Sequence, residues 1–326
     1  MKISVTGGSG FIGKALCTEL VRSNHIISVL TRKDTLPVAG INFIKGDLLL
    51  EKGDLRELVN NTDVVFHCAG EIEDEALMHR LHVYGTERLL AAVSASISSN
   101  AKPVHWIQLS SVGAYGLDGA GLELSRVINE HSLEQPIGEY ERTKTASDQL
   151  VLAFARQEPM FSFSILRPTA VIGSNMPNQS FHALALMIKR GLFFYIGNKH
   201  AIANYVHVDD VVRALIQCST DIRARGNIFL ISNDCDLEQI VDALARAMRV
   251  PAPRLVLPER LLRFIVRVVS PFIRLPLTSG RIDALTRQTR YSSHHIAQSL
   301  GFRPTSTIPE IIPKLVADSA KRLGLD

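Results

Sequence analysis

Short apolar runs and longer amphipathic stretches alternate along the first half of this chain. A β-branched run over residues 2–6 meets a cluster of glycines and then an amphipathic stretch over 11–21. Residues 26–30, 41–45 and 63–67 read as further strands, with a helix over 54–60 and small residues, Cys68-Ala-Gly70, after the last. A helical stretch over 74–98 leads to a strand over 104–109, and a helix over 139–157 leads to a strand closed by Arg167-Pro168. Apolar positions three and four apart mark the helices, and apolar runs bounded by turn residues mark the strands. Alternation of this kind implies right-handed crossovers and a parallel sheet.

The later part reads differently. A polar turn over 173–181, containing Asn175 and Asn178, precedes an apolar helix reaching residue 190. Leu261, Leu262, Phe264, Ile265, Val268 and Val269 make an apolar face with arginines between them. Two readings compete for it, a helix packed on its neighbour and an interfacial helix on anionic lipid. The packed helix is expected, without membrane contact. Residues 293–300 and 309–323 supply closing helical segments. The fold class is therefore α/β, a Rossmann-type doubly wound parallel sheet over residues 1–170. A smaller α/β substrate-binding lobe follows over 171–326, and some of its segments are expected to return to the first domain.

The glycine cluster adds chemistry to this frame. Gly8, Gly10 and Gly13 have G-x-G-x-x-G spacing, and Gly7, Gly10 and Gly13 have G-x-x-G-x-x-G spacing. Glycines let backbone approach a pyrophosphate, and the helix that opens at Phe11 and Ile12 offers unpaired N–H groups and a positive dipole end. A dinucleotide is the expected ligand. Past the second strand, where an Asp or Glu would accept from a ribose 2′-hydroxyl, stand Thr31, Arg32 and Lys33. A hydroxyl and two cations suit a 2′-phosphate, so NADP(H) is favoured, with NAD(H) the alternative.

Composition narrows the field. With 46% hydrophobic and 21% charged residues over 326 positions, the chain has material for a large core. The net charge of +4 is mild and scattered, so no nucleic-acid partner is expected. Cys17, Cys68, Cys218 and Cys235 form no metal-spaced pair and read as reduced core thiols, which with the absence of a leader ahead of the first strand points to a cytoplasmic location. No metal site is expected.

The helix over 139–157 carries Tyr140 and Lys144, four apart and so on one face. A phenol of ordinary pKa near 10 is a poor proton carrier at neutral pH, and a neighbouring ammonium favours its ionised form. With the glycine turn and with Ser110-Ser111 closing a strand, these residues make a candidate catalytic set.

Taken together, the pieces resemble the extended short-chain dehydrogenase/reductases, in particular the nucleotide-sugar epimerase, dehydratase and ketoreductase group. They are Thr6-Gly-Gly-Ser-Gly-Phe-Ile-Gly13, Gly46-Asp47-Leu48, His67-Cys-Ala-Gly70, Gly85-Thr86, the run from Ser110 to Gly116, Tyr140 to Lys144, Leu166-Arg-Pro168, Val171-Ile-Gly173 and Val206-His-Val-Asp-Asp-Val211, in that order. The resemblance implies that Tyr140 is the acid/base, that Lys144 lowers its pKa and binds the nicotinamide ribose, and that Ser111 holds the substrate oxygen. It implies cofactor contacts at Gly7, Gly10, Phe11, Ile12, Gly13, Asp47, Leu48, Ala69, Gly70 and Pro168. It also implies a homodimer through the helices over 74–98 and 139–157. His207, Asp209 and Asp210 look like a metal set, but the resemblance makes them a strand-to-helix junction with Asp209 as N-cap.

Two departures stand out. His82 replaces the usual Asn ahead of Gly85-Thr86, and Ala203 and Asn204 stand where an arginine is common. Substrate contacts are therefore expected from Asn178 and from Arg281, with Arg287 and Arg290 as further candidates. Val112 and Gly113 stand where dehydratases carry their extra acids, which disfavours dehydration. The resulting expectation is reduction of a ketone on a nucleotide-linked sugar, of the kind used for surface polysaccharide, with a 4-epimerase as the alternative and a non-catalytic dinucleotide-binding protein as a third.

Overall fold

The computed structural model describes residues 1–33, 38–50, 55–116, 125–177, 179–269 and 277–320. Seven parallel strands form one sheet: Lys2–Thr6 (β1), Ile26–Thr31 (β2), Asn42–Lys45 (β3), Val64–His67 (β4), Val104–Leu109 (β5), Phe161–Pro168 (β6) and Asn227–Ile231 (β7). Their order is β7-β6-β5-β4-β1-β2-β3. β1 has Lys2 opposite Ile26 of β2 on one side and Ile3 opposite Val64 of β4 on the other, so the winding reverses there and leaves a crevice at the strands' carboxyl ends.

The first-half helices are Phe11–Val21 (α1), Leu55–Val59 (α2), Gly85–Asn100 (α3) and Glu139–Gln157 (α4). The second half adds Gln179–Lys189 (α5), Val208–Thr220 (α6), Leu237–Ala247 (α7), Glu259–Val269 (α8), Ser279–Thr286 (α9), His294–Leu300 (α10) and Ile308–Asp318 (α11). Strand side chains alternate between the two faces of the sheet. Ile3, Val5, Ile27, Val29 and Phe66 share a core with Leu16 and Leu20 of α1, Leu215 of α6 and Ile296 of α10. Leu30, Val65, Val104 and Trp106 share another with Leu58 of α2, Leu89 and Val93 of α3 and Val151 of α4. Each such aliphatic side chain stabilises the fold by about 1.5–3 kcal/mol on full burial.

The helical stretch over 74–98 is not uniform. Asp74 caps a short turn, Glu75–His79, by accepting from Ala76 N at 3.0 Å. A π-helical segment, Arg80–Tyr84, then joins it to α3. This wide turn carries His82, whose ring is buried.

A second core lies in the lobe, where Phe181 and Ile188 of α5, Ile240 and Leu244 of α7 and Ile312 of α11 meet Phe193 and Tyr195. α8 packs by one edge only. Leu262 and Val266 are buried against Ile196 and Ile282, while Leu261, Phe264, Ile265 and Val268 stay exposed. The expected packed helix is thus found on half of its apolar face. Among the described residues no helix is long and apolar enough to cross a membrane.

Candidate active site

A cavity of about 2110 Å³ opens along the carboxyl ends of the strands and continues under the lobe. Its floor begins at the glycine bend. Gly7 has φ +72°, and a Cβ there would stand 2.6 Å from the Cys68 and Ala69 backbone. A Cβ on Gly13 would fall 2.1 Å from Gly7 O, so only glycine lets α1 begin this close to β1. The helix opens on Gly10 with no side-chain cap and no acidic residue in its first turn. Its amide dipoles therefore face the cavity without a competing acceptor, which fits the pyrophosphate of a dinucleotide.

Gly7, Gly10, Phe11, Ile12, Gly13, Ala69, Gly70, Ser111, Tyr140, Lys144, Pro168 and Arg281 all line this cavity. Thr31, Arg32, Lys33, Asp47 and Leu48 do not. They stand at and just beyond the ends of β2 and β3 on the same sheet edge. Buried Thr31 accepts from Lys33 N at 3.0 Å, Asp47 accepts from Leu49 N at 2.9 Å, and Arg32 and Lys33 are exposed. Asn178 lies outside the described residues. Lys14, Arg22, Arg287 and Lys314 also line the cavity, whereas Arg290 turns to Asp236 at 3.4 Å.

The reacting groups converge from three elements. Ser111 follows β5 and caps the turn Val112–Tyr115, its hydroxyl accepting from Gly113 N at 3.0 Å. That hydroxyl also favours the ionised form of the Tyr140 phenol on α4. One turn along α4, buried Lys144 donates from Nζ to Leu109 O, the last carbonyl of β5, at 2.6 Å. Burial pulls the ammonium below its ordinary range, and Asp148 and Cys68 oppose that pull.

The phenol differs from the expectation that Lys144 holds it low. It is pushed up to about 12, first by burial and then by the carboxylates of Glu141 and Asp148, against the bond from Ser111. Lys144 is committed to Leu109 and is not among the groups that set the phenol. At neutral pH Tyr140 is thus a protonated acid. Glu141, one residue beyond Tyr140, also lines the cavity and packs on Gly113.

Two further groups hold this arrangement. His82 accepts from Glu71 N at 2.9 Å through Nε2, which leaves Nδ1 to donate to Thr143 Oγ1 at 2.8 Å. Its ring meets Tyr140 edge-on at 5.6 Å, and burial, then Lys144, lowers its pKa to about 3. Asp148 sits one more turn along α4, fully buried, and its Oδ2 accepts from Ser110 at 2.7 Å and from Arg167 Nε and Nη2 at 3.1 and 2.9 Å. Arg167 also reaches Glu134 at 2.6 Å and the Tyr115 hydroxyl at 2.9 Å. Burial raises the Asp148 carboxyl, and the charge of the Arg167 guanidinium, the bond from Ser110 and the charge of Lys144 oppose that rise. Its place four residues beyond Lys144 was the signal for it.

The strand-to-helix junction corrects one expectation. His207, not Asp209, caps α6, its Nδ1 accepting from Asp209 N at 3.3 Å, because the ring sits one residue ahead of the first helical turn. Asp210 is structural, accepting from Arg213 at 2.9 Å and from Thr305 N at 3.2 Å. Among the described residues no group of three or more His, Cys, Asp or Glu could hold a metal ion.

The model of the NAD dependent epimerase/dehydratase family matches residues 3–232. The chain belongs to that family. As a member it is an NAD(P)-dependent enzyme of the extended short-chain dehydrogenase/reductase type, and a nicotinamide dinucleotide is the group its glycine bend suits. Among its relatives, mouse sterol-4-alpha-carboxylate 3-dehydrogenase, decarboxylating, is 25% identical over 333 residues, covering 97% of this chain and 90% of the mouse protein. UDP-glucose 4-epimerase of Vibrio cholerae is 25% identical over 323 residues, covering 94% and 92%. The structure of MoeE5 in complex with UDP-glucose and NAD, 24% identical, superposes with a TM-score of 0.75 over 99% of this chain and 100% of that one and shows the shared fold.

Proposed function

We propose that this family member reduces a ketone on a nucleotide-linked sugar with NADP(H), acting as a cytosolic homodimer. The observation that carries the reading is the absence of a carboxylate in Thr31-Arg32-Lys33 at the end of β2, where a 2′-phosphate would meet two exposed cations. An epimerase keeps one cofactor through oxidation and re-reduction, whereas a reductase exchanges it every turnover, which suits selection for the phosphorylated form.

When bound, the dinucleotide supplies hydride to the carbonyl carbon. Tyr140, protonated at neutral pH, gives its proton to the carbonyl oxygen, and Ser111 donates to that oxygen as charge develops. Lys144 fixes α4 to β5 through Leu109 O and places positive charge beneath the site. Cavity-lining Arg281 and Arg287 are candidates for contact with a substrate diphosphate. The 4-epimerase reading is the second, favoured by the Vibrio cholerae relative that matches nearly end to end.

The test is to identify the dinucleotide retained on purification and then follow NADPH and NADH absorbance against nucleotide-linked keto sugars. Net oxidation of NADPH is expected, and Arg32→Ala with Lys33→Ala should weaken NADPH binding about 10–100-fold with little change for NADH. Tightly held NAD with no net redox change would select the epimerase.

A further inference from the structure

The exposed edge of α8 belongs to no site described above. Leu261, Phe264, Ile265 and Val268 are 51, 65, 39 and 47% exposed, and they form one continuous stripe because positions three and four apart share a helical face. Isolated exposed apolar residues need no explanation, but four on one stripe do.

Charge separates the possible occupants. Arg260 precedes Phe264 by four residues and Arg267 follows it by three, so the stripe is edged by guanidinium groups. Both are exposed, and among the described residues neither has an ion-pair partner. The helix's remaining charges are already engaged, since Arg263 bonds Glu259 at 2.8 Å and Asp283 at 2.7 Å. A second copy docking by the same face would set cation against cation. An anionic bilayer satisfies both features, because the apolar ridge enters the acyl boundary while long arginine stems carry their charge to the headgroups.

The helix is also coupled to the cavity. Leu262 and Val266 grip Ile282 of α9, and α9 turns Arg281, Ala284 and Leu285 toward the cavity. α9 is thus a wall shared by the catalytic cavity and the ridge. We infer that α8 is a peripheral membrane-docking helix that seats the lobe on an anionic lipid surface.

Flotation of the full chain with vesicles tests this, using phosphatidylcholine alone or phosphatidylcholine with phosphatidylglycerol, at low and high salt. Wild type should float at least about tenfold more with the anionic vesicles at low salt, and high salt should reduce the difference. Phe264→Glu with Val268→Glu, and separately Arg260→Glu with Arg267→Glu, should each lower flotation about tenfold without altering the melting temperature or NADPH binding. Equal flotation with the two vesicle types, or of wild type and both variants, would overturn the inference. So would light scattering in which wild type is a dimer that both variants split, because a second copy would then cover the stripe.

Discussion

Beneath α4 the sheet domain buries Arg167, Asp148, His67, His82 and Ser147, each bonded to a neighbour, whereas the lobe is held by Phe181, Ile240, Leu244 and Ile312 and leaves half of α8 bare. In the sheet domain one polar chain runs from Thr6 to His67 at 2.6 Å, on to Thr86 at 3.0 Å and Ser147 at 2.9 Å, and reaches Gln108 at 2.8 Å. Hydrogen bonds fix positions by direction as well as distance, and a broken one is costly in low dielectric. Apolar packing needs only volume, so it tolerates substitution. The difference explains how one part can keep Ser111, Tyr140 and Lys144 in register while the other tolerates substitution.

The sharpest way to break that contrast is Arg167→Met. It leaves the buried Asp148 carboxyl without its partner and should cost about 3–5 kcal/mol in denaturant unfolding. Ile240→Val in the lobe core should cost about 1 kcal/mol. Equal losses would show that the polar network carries no special weight.

A smaller effect comes from the buried rings. His67 and His82 are lowered to about 3 and His105 to about 4, all first by burial, from an ordinary 6.5. Below 6.5 the unfolded chain takes up protons that the folded chain refuses. Stability is therefore full above that pH and falls as pH drops toward 3–4, by at most about 1.4 kcal/mol per pH unit for each ring. His82→Gln should remove one share of that slope in melts across pH 7 to 4, and an unchanged slope would place the ring elsewhere. The smallest effect belongs to the lobe surface, where Phe264→Glu with Val268→Glu should stay within about 0.5 kcal/mol of wild type.

The parallel sheet and the reacting face of α4 were legible because both rest on local pattern, short apolar runs bounded by turn residues for strands and a period of 3.6 for helices. Gly7, Gly10, Gly13, Ser111, Tyr140 and Lys144 all line one cavity. What escaped depends on partners distant in sequence. Nothing near His82 announces that its ring will accept from Glu71 N, and nothing near Arg167 that it will join Asp148, Glu134 and Tyr115. The phenol's pKa escaped for the same reason. Lys144 is its neighbour by helical spacing, but Leu109 O claims the ammonium and burial decides the shift. The cap of α6 moved from Asp209 to His207 because a cap is set by backbone geometry at the junction, which residue type alone does not locate.

In the proposed reaction the Tyr140 hydroxyl, beside Ser111, delivers the proton. Single-turnover mixing of NADPH-loaded wild type and Tyr140→Phe with a nucleotide-linked keto sugar tests it directly. The variant should oxidise NADPH about 10²–10⁴-fold more slowly, with NADPH affinity unchanged within about threefold. A variant that oxidises NADPH as fast as wild type, or that loses affinity as much as rate, would contradict it.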